Sequence, residues 1–283
     1  IDVHHHYFPS TLSSDKKDAA SRLGWRPPSA NLPWSPEVSL RFMDKAGIDM
    51  AILSFPGFPS NDHGRELVSA RNEEMAHICA SYPTRFAFFA SLPHLADTEG
   101  TQRFSCLAEI SYVFDTLGAK GIALPSSCGI GPDARYIADD AFSAVWEELD
   151  RRRAVVHLHG TQTPSSTPYP GPYLGIPITE VPNETFKAAA HLVVTGYKRK
   201  YKNVSIILAH LGGSAPYLAA RVAALSPYMG CPKSPDEILE DFRTFYYDTA
   251  LSASDVNLKA IEVFAGLDRV VYGSDFPGVS VRL

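Results

Sequence analysis

Ala141–Leu158, AFSAVWEELDRRRAVVHL, reads as a helical stretch (141–153) running directly into a short β-rich run, Ala154–Leu158. The same unit recurs in both directions along the chain. Toward the N-terminus, Gly121–Leu124 follows Leu107–Leu117, Phe86–Leu92 follows Arg65–Ser81, and Met50–Phe55 follows Glu37–Ala46. Toward the C-terminus, Val204–Ala209 follows Thr185–Tyr201. Ile1–Val3, Phe245–Tyr247 and Arg269–Tyr272 complete eight strand candidates. Helical connections between so many strands are the pattern of a closed parallel barrel. A doubly wound sheet is the alternative, but no glycine-rich dinucleotide fingerprint follows the first strand. The expectation is a (β/α)8 barrel formed as a single domain over residues 1–283.

Composition narrows the partners. With 283 residues and 45% apolar content, the chain has ample material for a large core. A net charge of -5, from 26 basic and 31 acidic residues, disfavours a nucleic-acid binder. No apolar run reaches the roughly 18 residues that span a bilayer. Cys79, Cys106, Cys128 and Cys231 are scattered without a C-x-x-C pair, which suits a reducing compartment, and no basic-then-apolar leader precedes the first strand. A cytoplasmic location is expected. Arg151-Arg152-Arg153 and Lys198-Arg199-Lys200 sit at helix C-termini, where cations offset the helix dipole. Gly160–Pro182 carries six prolines and lacks helical periodicity, so it reads as a long loop after strand five, either a lid over the site or a passive insertion.

Active-site groups of a parallel barrel occupy the C-terminal ends of its strands. The first strand ends in His4-His5-His6, and strand alternation puts His4 and His6 on one face and His5 on the other. This pair reads either as metal ligands or as satisfied core histidines. His159, His210 and Asp275 close other strand runs, AVVHLH, VSIILAH and VVYGSD. Imidazoles and a carboxylate at several strand ends form a donor set suited to Zn2+, with Mn2+ also accommodated. His157 shares the alternation face of His159 and competes with it. His94, after strand three, is a candidate pocket residue, whereas His63, His77 and His191 have no partner at ligand spacing. Phe8, Trp34, Phe55, Phe58 and Phe276 read either as walls of a flat pocket or as core.

Asp2–Pro9, His159-Gly160-Thr161, Ala209–Gly213 and Gly273–Pro277 together resemble, in order and over nearly the whole chain, the amidohydrolase-related decarboxylases akin to aminocarboxymuconate-semialdehyde decarboxylase. Within that family His159–Thr185 most resembles the fungal 6-methylsalicylate decarboxylases. The resemblance implies a distorted (β/α)8 barrel holding one divalent metal on His4, His6, His159 and Asp275, with His210 as an unligated catalytic histidine. It implies decarboxylation of an ortho-hydroxy aromatic acid, 6-methylsalicylate to m-cresol and CO2, with Asp275 as proton donor. Arg221 would reach the substrate of a neighbouring subunit in a homodimer or larger assembly, and Phe8 and Phe276 would line the substrate. A related decarboxylase of 5-carboxyuracil or another cyclic carboxylate, a mononuclear hydrolase and a non-catalytic barrel are the rival readings. Strand four ends Leu124-Pro125-Ser126, without the lysine that bridges two metals in many barrel hydrolases. Many relatives have proline where this chain has Gly160, which leaves the choice between His157 and His159 open. Relatives also continue past the strand-eight aspartate into a final helix, which would lie beyond Leu283.

Overall fold

Eight parallel strands follow one another in sequence order around a single sheet: β1 Asp2–His6, β2 Ala51–Ser54, β3 Phe86–Ala90, β4 Gly121–Pro125, β5 Val155–His159, β6 Ser205–Leu208, β7 Tyr246–Asp248 and β8 Val270–Val271. This computed structural model describes residues 1–9, 28–55, 65–98, 105–129, 134–161, 171 and 173–278. The chain beyond β8 returns to β1. Val3 N–H donates to Tyr272 O at 2.9 Å, Asp275 N–H to His4 O at 2.9 Å, and His6 N–H to Phe276 O at 2.7 Å. These bonds close the sheet into a barrel, and the strands lie close to where the sequence places them.

Helices flank the strands: α1 Pro36–Ala46, α2 Arg65–Ser81, α3 Cys106–Asp115, α4 Ser143–Arg151, α5 Ile176–Val194, α6 Ala215–Leu225, α7 Pro235–Arg243 and α8 Asp255–Phe264. Their ends are written in the sequence. Ser35 caps α1 by accepting from Val38 N–H, Pro36 opens it, and Gly47 ends it at φ 69°. Ser234 and Glu237 form a reciprocal capping box on α7. Trp146, Leu192 and Phe242 from these helices join Val156, Leu158, Leu208 and Tyr247 in the core between helices and sheet.

Inside the barrel, Ile52, Ala87, Phe89 and Ile207 pack with Val3, Val155, Tyr246 and Val271 as an apolar layer. Two residues farther along their strands, His157 and Asp248 rise above that layer on the same face. β1 departs from simple alternation. Its register against β2 shifts between Asp2 and His5, one extra residue being accommodated there. Val3 faces the axis, so a regular strand would turn His5 inward; the irregularity turns His4 and His6 inward instead.

The proline-rich stretch is not a loop to its end. α5 begins at Ile176, with Pro177 in its first turn and Pro182 inside it. Proline is tolerated in a first turn, whose N–H groups lack helical partners anyway. Pro182 is accommodated because this helix packs against the ends of β5 and β6. The rest of that stretch, residues 162–170 and 172, lies outside the described residues, as do Phe58 and His63. The two basic runs are absorbed locally: Arg152 pairs with Glu148 and Asp115, and Arg199 with Glu237, Glu240 and Asp241.

Candidate active site

His4 Nε2, His6 Nε2 and one oxygen of Asp275 converge at the C-terminal mouth of the barrel. The two nitrogens lie 3.1 Å apart, and Asp275 Oδ1 is 3.2 Å from His4 and 3.1 Å from His6. His159 completes the group, with donor atoms of all four residues within 4.8 Å of one another. His157 takes another place. It points into the barrel one layer lower, stacks on Phe89, and donates through Nε2 to Asp248 at 2.9 Å. A second cluster, His4, His157 and Asp248, is therefore accounted for by hydrogen bonds to one carboxylate. His5 faces the helices, where Asp2 holds its Nδ1 at 2.9 Å and Phe276 stacks on its ring.

The surroundings fix each ring. His4 Nδ1 donates to Asp248 at 2.9 Å, and His159 Nδ1 donates to Gly160 O at 2.9 Å, so a neutral His159 presents a bare Nε2 to the centre, and His4 does so once its Nε2 proton is displaced. His210 Nδ1 donates to Ala250 O at 3.0 Å, and its ring sits 4.9 Å from His4 and 5.2 Å from His159 without joining the four-residue group. His210, Leu211 and Asp275 all adopt positive φ, at 57°, 51° and 61°. This uncommon conformation for residues with side chains turns strand ends toward the axis.

Asp248 is a functional residue that sequence reading missed. Its Oδ2 accepts from His4 and His157, and its Oδ1 accepts from the backbone N–H groups of His210 and Ala250, both at 3.0 Å. The signal was present, because Phe245–Tyr247 closes on Asp248 much as the last strand run closes on Asp275.

Burial disfavours charge throughout the cluster, and the carboxylates decide where it survives. Burial alone would depress His4, but Asp248 and Asp275 outweigh it and push its imidazole up to about 10. Burial would raise Asp275, but hydrogen bonds from His4 and His6 hold it well below the usual carboxylate range. His6, His159 and His210 are pulled down, chiefly by burial. A neutral His159 and a neutral His6 beside an ionised Asp275 are ligand-ready at neutral pH.

This donor chemistry fits a divalent cation. Separations of 3.1–3.2 Å are what two ligands span when each sits about 2.1 Å from a shared ion. Bare imidazole nitrogens and a carboxylate oxygen otherwise crowd one buried point.

Other expected site residues are placed less centrally. Phe8 is buried, with its ring 6.3 Å from that of His6. Phe276 is in the core behind the sheet, against His5 and Phe42, because its strand-end alternation turns it away from Asp275. That position corrects its expected place on the substrate wall. Trp34 packs edge-on to Tyr7. Arg221 lies exposed on α6 and has no ion pair among the described residues.

Gly160 has a steric reason. A Cβ there would lie 1.9 Å from Val181 O, and one on Gly213, at φ 61°, would lie 2.0 Å from Pro182 O. α5 is thus seated directly on the backbone that follows β5 and β6.

The amidohydrolase family pattern matches residues 1–282. The chain is 37% identical to 6-methylsalicylic acid decarboxylase of Penicillium expansum, over 98% of this chain and 84% of that protein. The crystal structure of a 2,6-dihydroxybenzoate decarboxylase complexed with 2,6-dihydroxybenzoate superposes with a TM-score of 0.81 at 22% identity, covering 99% of this chain and 89% of the other. A dihydroxybenzoic acid decarboxylase from Polaromonas, solved with manganese and 2-nitroresorcinol, gives 0.78 at 22% identity, covering 98% and 86%. At that identity the two structures speak for the fold.

Proposed function

This chain belongs to the amidohydrolase family, and on that premise we propose that it is a metal-dependent carboxy-lyase acting on an ortho-hydroxy aromatic acid. The substrate we assign is 6-methylsalicylate, converted to m-cresol and CO2, as the name of the Penicillium relative suggests. The observation that carries the reading is the convergence of His4, His6, His159 and Asp275 at the barrel mouth, with His210 beside them. These four residues would hold one divalent ion, which we take to be Zn2+; Mn2+ is the ion present in the Polaromonas structure. Bound there, the ion supplies Lewis-acid anchorage for a carboxylate and its neighbouring hydroxyl.

The chain's own groups handle the proton. The reaction adds one proton to the ring carbon that bears the carboxylate; the carbon–carbon bond then breaks, its electron pair restores the aromatic ring, and CO2 leaves. Asp275 is the donor in this proposal. His4 and His6 keep the free carboxyl ionised, so the proton Asp275 delivers is collected from the substrate's hydroxyl on binding, and the product phenolate takes one proton from solvent to leave as m-cresol. His210, its ring fixed through Nδ1, offers Nε2 to Asp275 or the substrate and steadies the transfer. β4 ends at Pro125, followed by Ser126, without a lysine, which supports a one-ion site over a two-ion hydrolase.

Metal-replete protein incubated with 6-methylsalicylate should release CO2 and m-cresol in equal amounts. Absence of turnover with every hydroxybenzoate tried would overturn the assignment. We further propose one domain across the chain, a cytoplasmic location and a homodimer in which Arg221 serves the neighbouring site. Hybrids of an Arg221→Ala chain with a His4→Ala chain should then regain activity in one of two sites; no recovery despite subunit exchange returns Arg221 to its own chain.

A further inference from the structure

A second cation, unrelated to the metal ligands, lies buried at the same mouth of the barrel. Arg71 of α2 is 5% exposed, and its guanidinium carbon stands 4.2 Å above the ring of Phe55. Its Nε has no hydrogen-bond partner, and no carboxylate pairs with it among the described residues. A buried guanidinium without a counter-charge is destabilising, and burial accordingly depresses its pKa. Such a group asks for an anion that the described residues do not supply.

Arg71 lines a cavity bounded by the ends of β2, β3 and β4. Water-sized groups can centre through about 50 Å3 of it, roughly three to four water positions and about the size of a carboxylate. His94 lines it too. Its Nδ1 accepts from Ala96 N–H at 3.3 Å, so the neutral ring carries its proton on Nε2 and is a donor. Ser127 adds a hydroxyl, while Phe55, Leu92 and Leu124 keep the walls apolar.

The cavity is built, and its strands flank those that carry the metal cluster. Asn72, next to Arg71, exchanges two 2.9 Å hydrogen bonds with the backbone of Ser91, which pins α2 to the end of β3. Phe55 follows Ser54, the β2 partner of His6, and Pro125 is the β4 partner of His159. The cavity therefore opens at the ends of the three strands that lie between β1 and β5 in the sheet.

We propose that this cavity is an anion subsite of the same active site, in which Arg71 pairs with the carboxylate oxygen of the aromatic acid that the ion does not anchor and His94 donates a second hydrogen bond. The identity of the acid rests on the decarboxylase reading; the anion subsite does not. An arginine fork suits a carboxylate better than a point charge does.

The test uses metal-loaded protein and two turnover-independent probes. Sodium formate should raise the melting temperature of the wild type beyond an equal concentration of sodium chloride, and Arg71→Met should abolish that difference. Benzoate should bind about 10–100-fold more tightly than neutral benzamide, and Arg71→Met should erase the preference while leaving metal content unchanged. Arg71→Lys, which keeps the charge, should retain part of both responses and guards against misfolding of the methionine variant. A formate response and benzoate preference that survive in folded Arg71→Met would overturn the subsite and assign the anion to the metal alone. If both are lost in Arg71→Met but no hydroxybenzoate is turned over, the subsite stands and the decarboxylase reading falls. If 6-methylsalicylate is turned over and Arg71→Met leaves KM unchanged, the reverse holds.

Discussion

Replacing Asp248 by Asn removes no volume, yet it should cost the site its metal affinity. All four acceptor positions of this buried carboxylate are filled, two by imidazoles and two by backbone N–H groups. An amide keeps only one oxygen. If its NH2 faces His210 and Ala250, two buried backbone donors lose their partners, at about 1–3 kcal/mol each. If it faces the imidazoles, His4 must move its proton from Nδ1 to Nε2, into the ligand cluster. Losing the charge also removes the strongest support for His4's raised pKa. Either orientation degrades the His4 ligand, and a 10–100-fold weaker metal affinity is expected, with about 2–6 kcal/mol of lost stability. Chelator competition gives the first number and denaturant unfolding the second. An Asp248→Asn protein equal to wild type in both would refute the role assigned to this carboxylate.

His4→Ala or His6→Ala should remove metal and turnover together, whereas His210→Ala should retain metal and lower turnover by roughly 10²–10⁴-fold; metal analysis beside steady-state rates checks both. In the metal-free protein His4 holds its proton up to about pH 10, so metal binding near pH 7–8 should release about one proton, visible by calorimetry in buffers of different ionisation enthalpy. The sign follows: affinity should rise up to tenfold per pH unit on approach to pH 10 and fall toward acid, and a pH-independent affinity across that window would contradict it. Gly160→Pro should drive α5 off the strand ends and destabilise the fold by several kcal/mol in urea, because the new Cβ meets Val181 O at 1.9 Å.

The barrel was legible because each strand is announced by a helix and punctuated by caps, and period 2 alone pairs His4 with His6. Phase was not legible. Which of two alternating faces meets the axis depends on one irregular residue between Asp2 and His5, a backbone feature with no side-chain signature. The start of α5 was hidden for a related reason: two prolines argue against helix locally, and packing on the strand ends overrides them. Arg71 gave no signal either. An arginine in an amphipathic helix defaults to solvent, and only the assembled cavity shows it buried and unpaired.

The site's least comfortable backbone and its most saturated carboxylates occur together, and each accounts for the other. His210 and Asp275 hold positive φ, at roughly 1–2 kcal/mol apiece. Asp248 takes the backbone N–H of His210, so the strained turn is held from inside the barrel. Asp2 does the same from outside: it accepts from His4 N–H, the His5 ring, and both the N–H and hydroxyl of Ser274, the residue before Asp275. Hydrogen bonds to a charged acceptor contribute about 1.5–3 kcal/mol each, enough to offset the turns they hold. The ligand geometry therefore depends on two aspartates that are not themselves among the four ligand residues, one clamping β1 to the chain after β8 and the other clamping β1 to β5 and β6. Loss of either should loosen His4 before it unfolds the barrel.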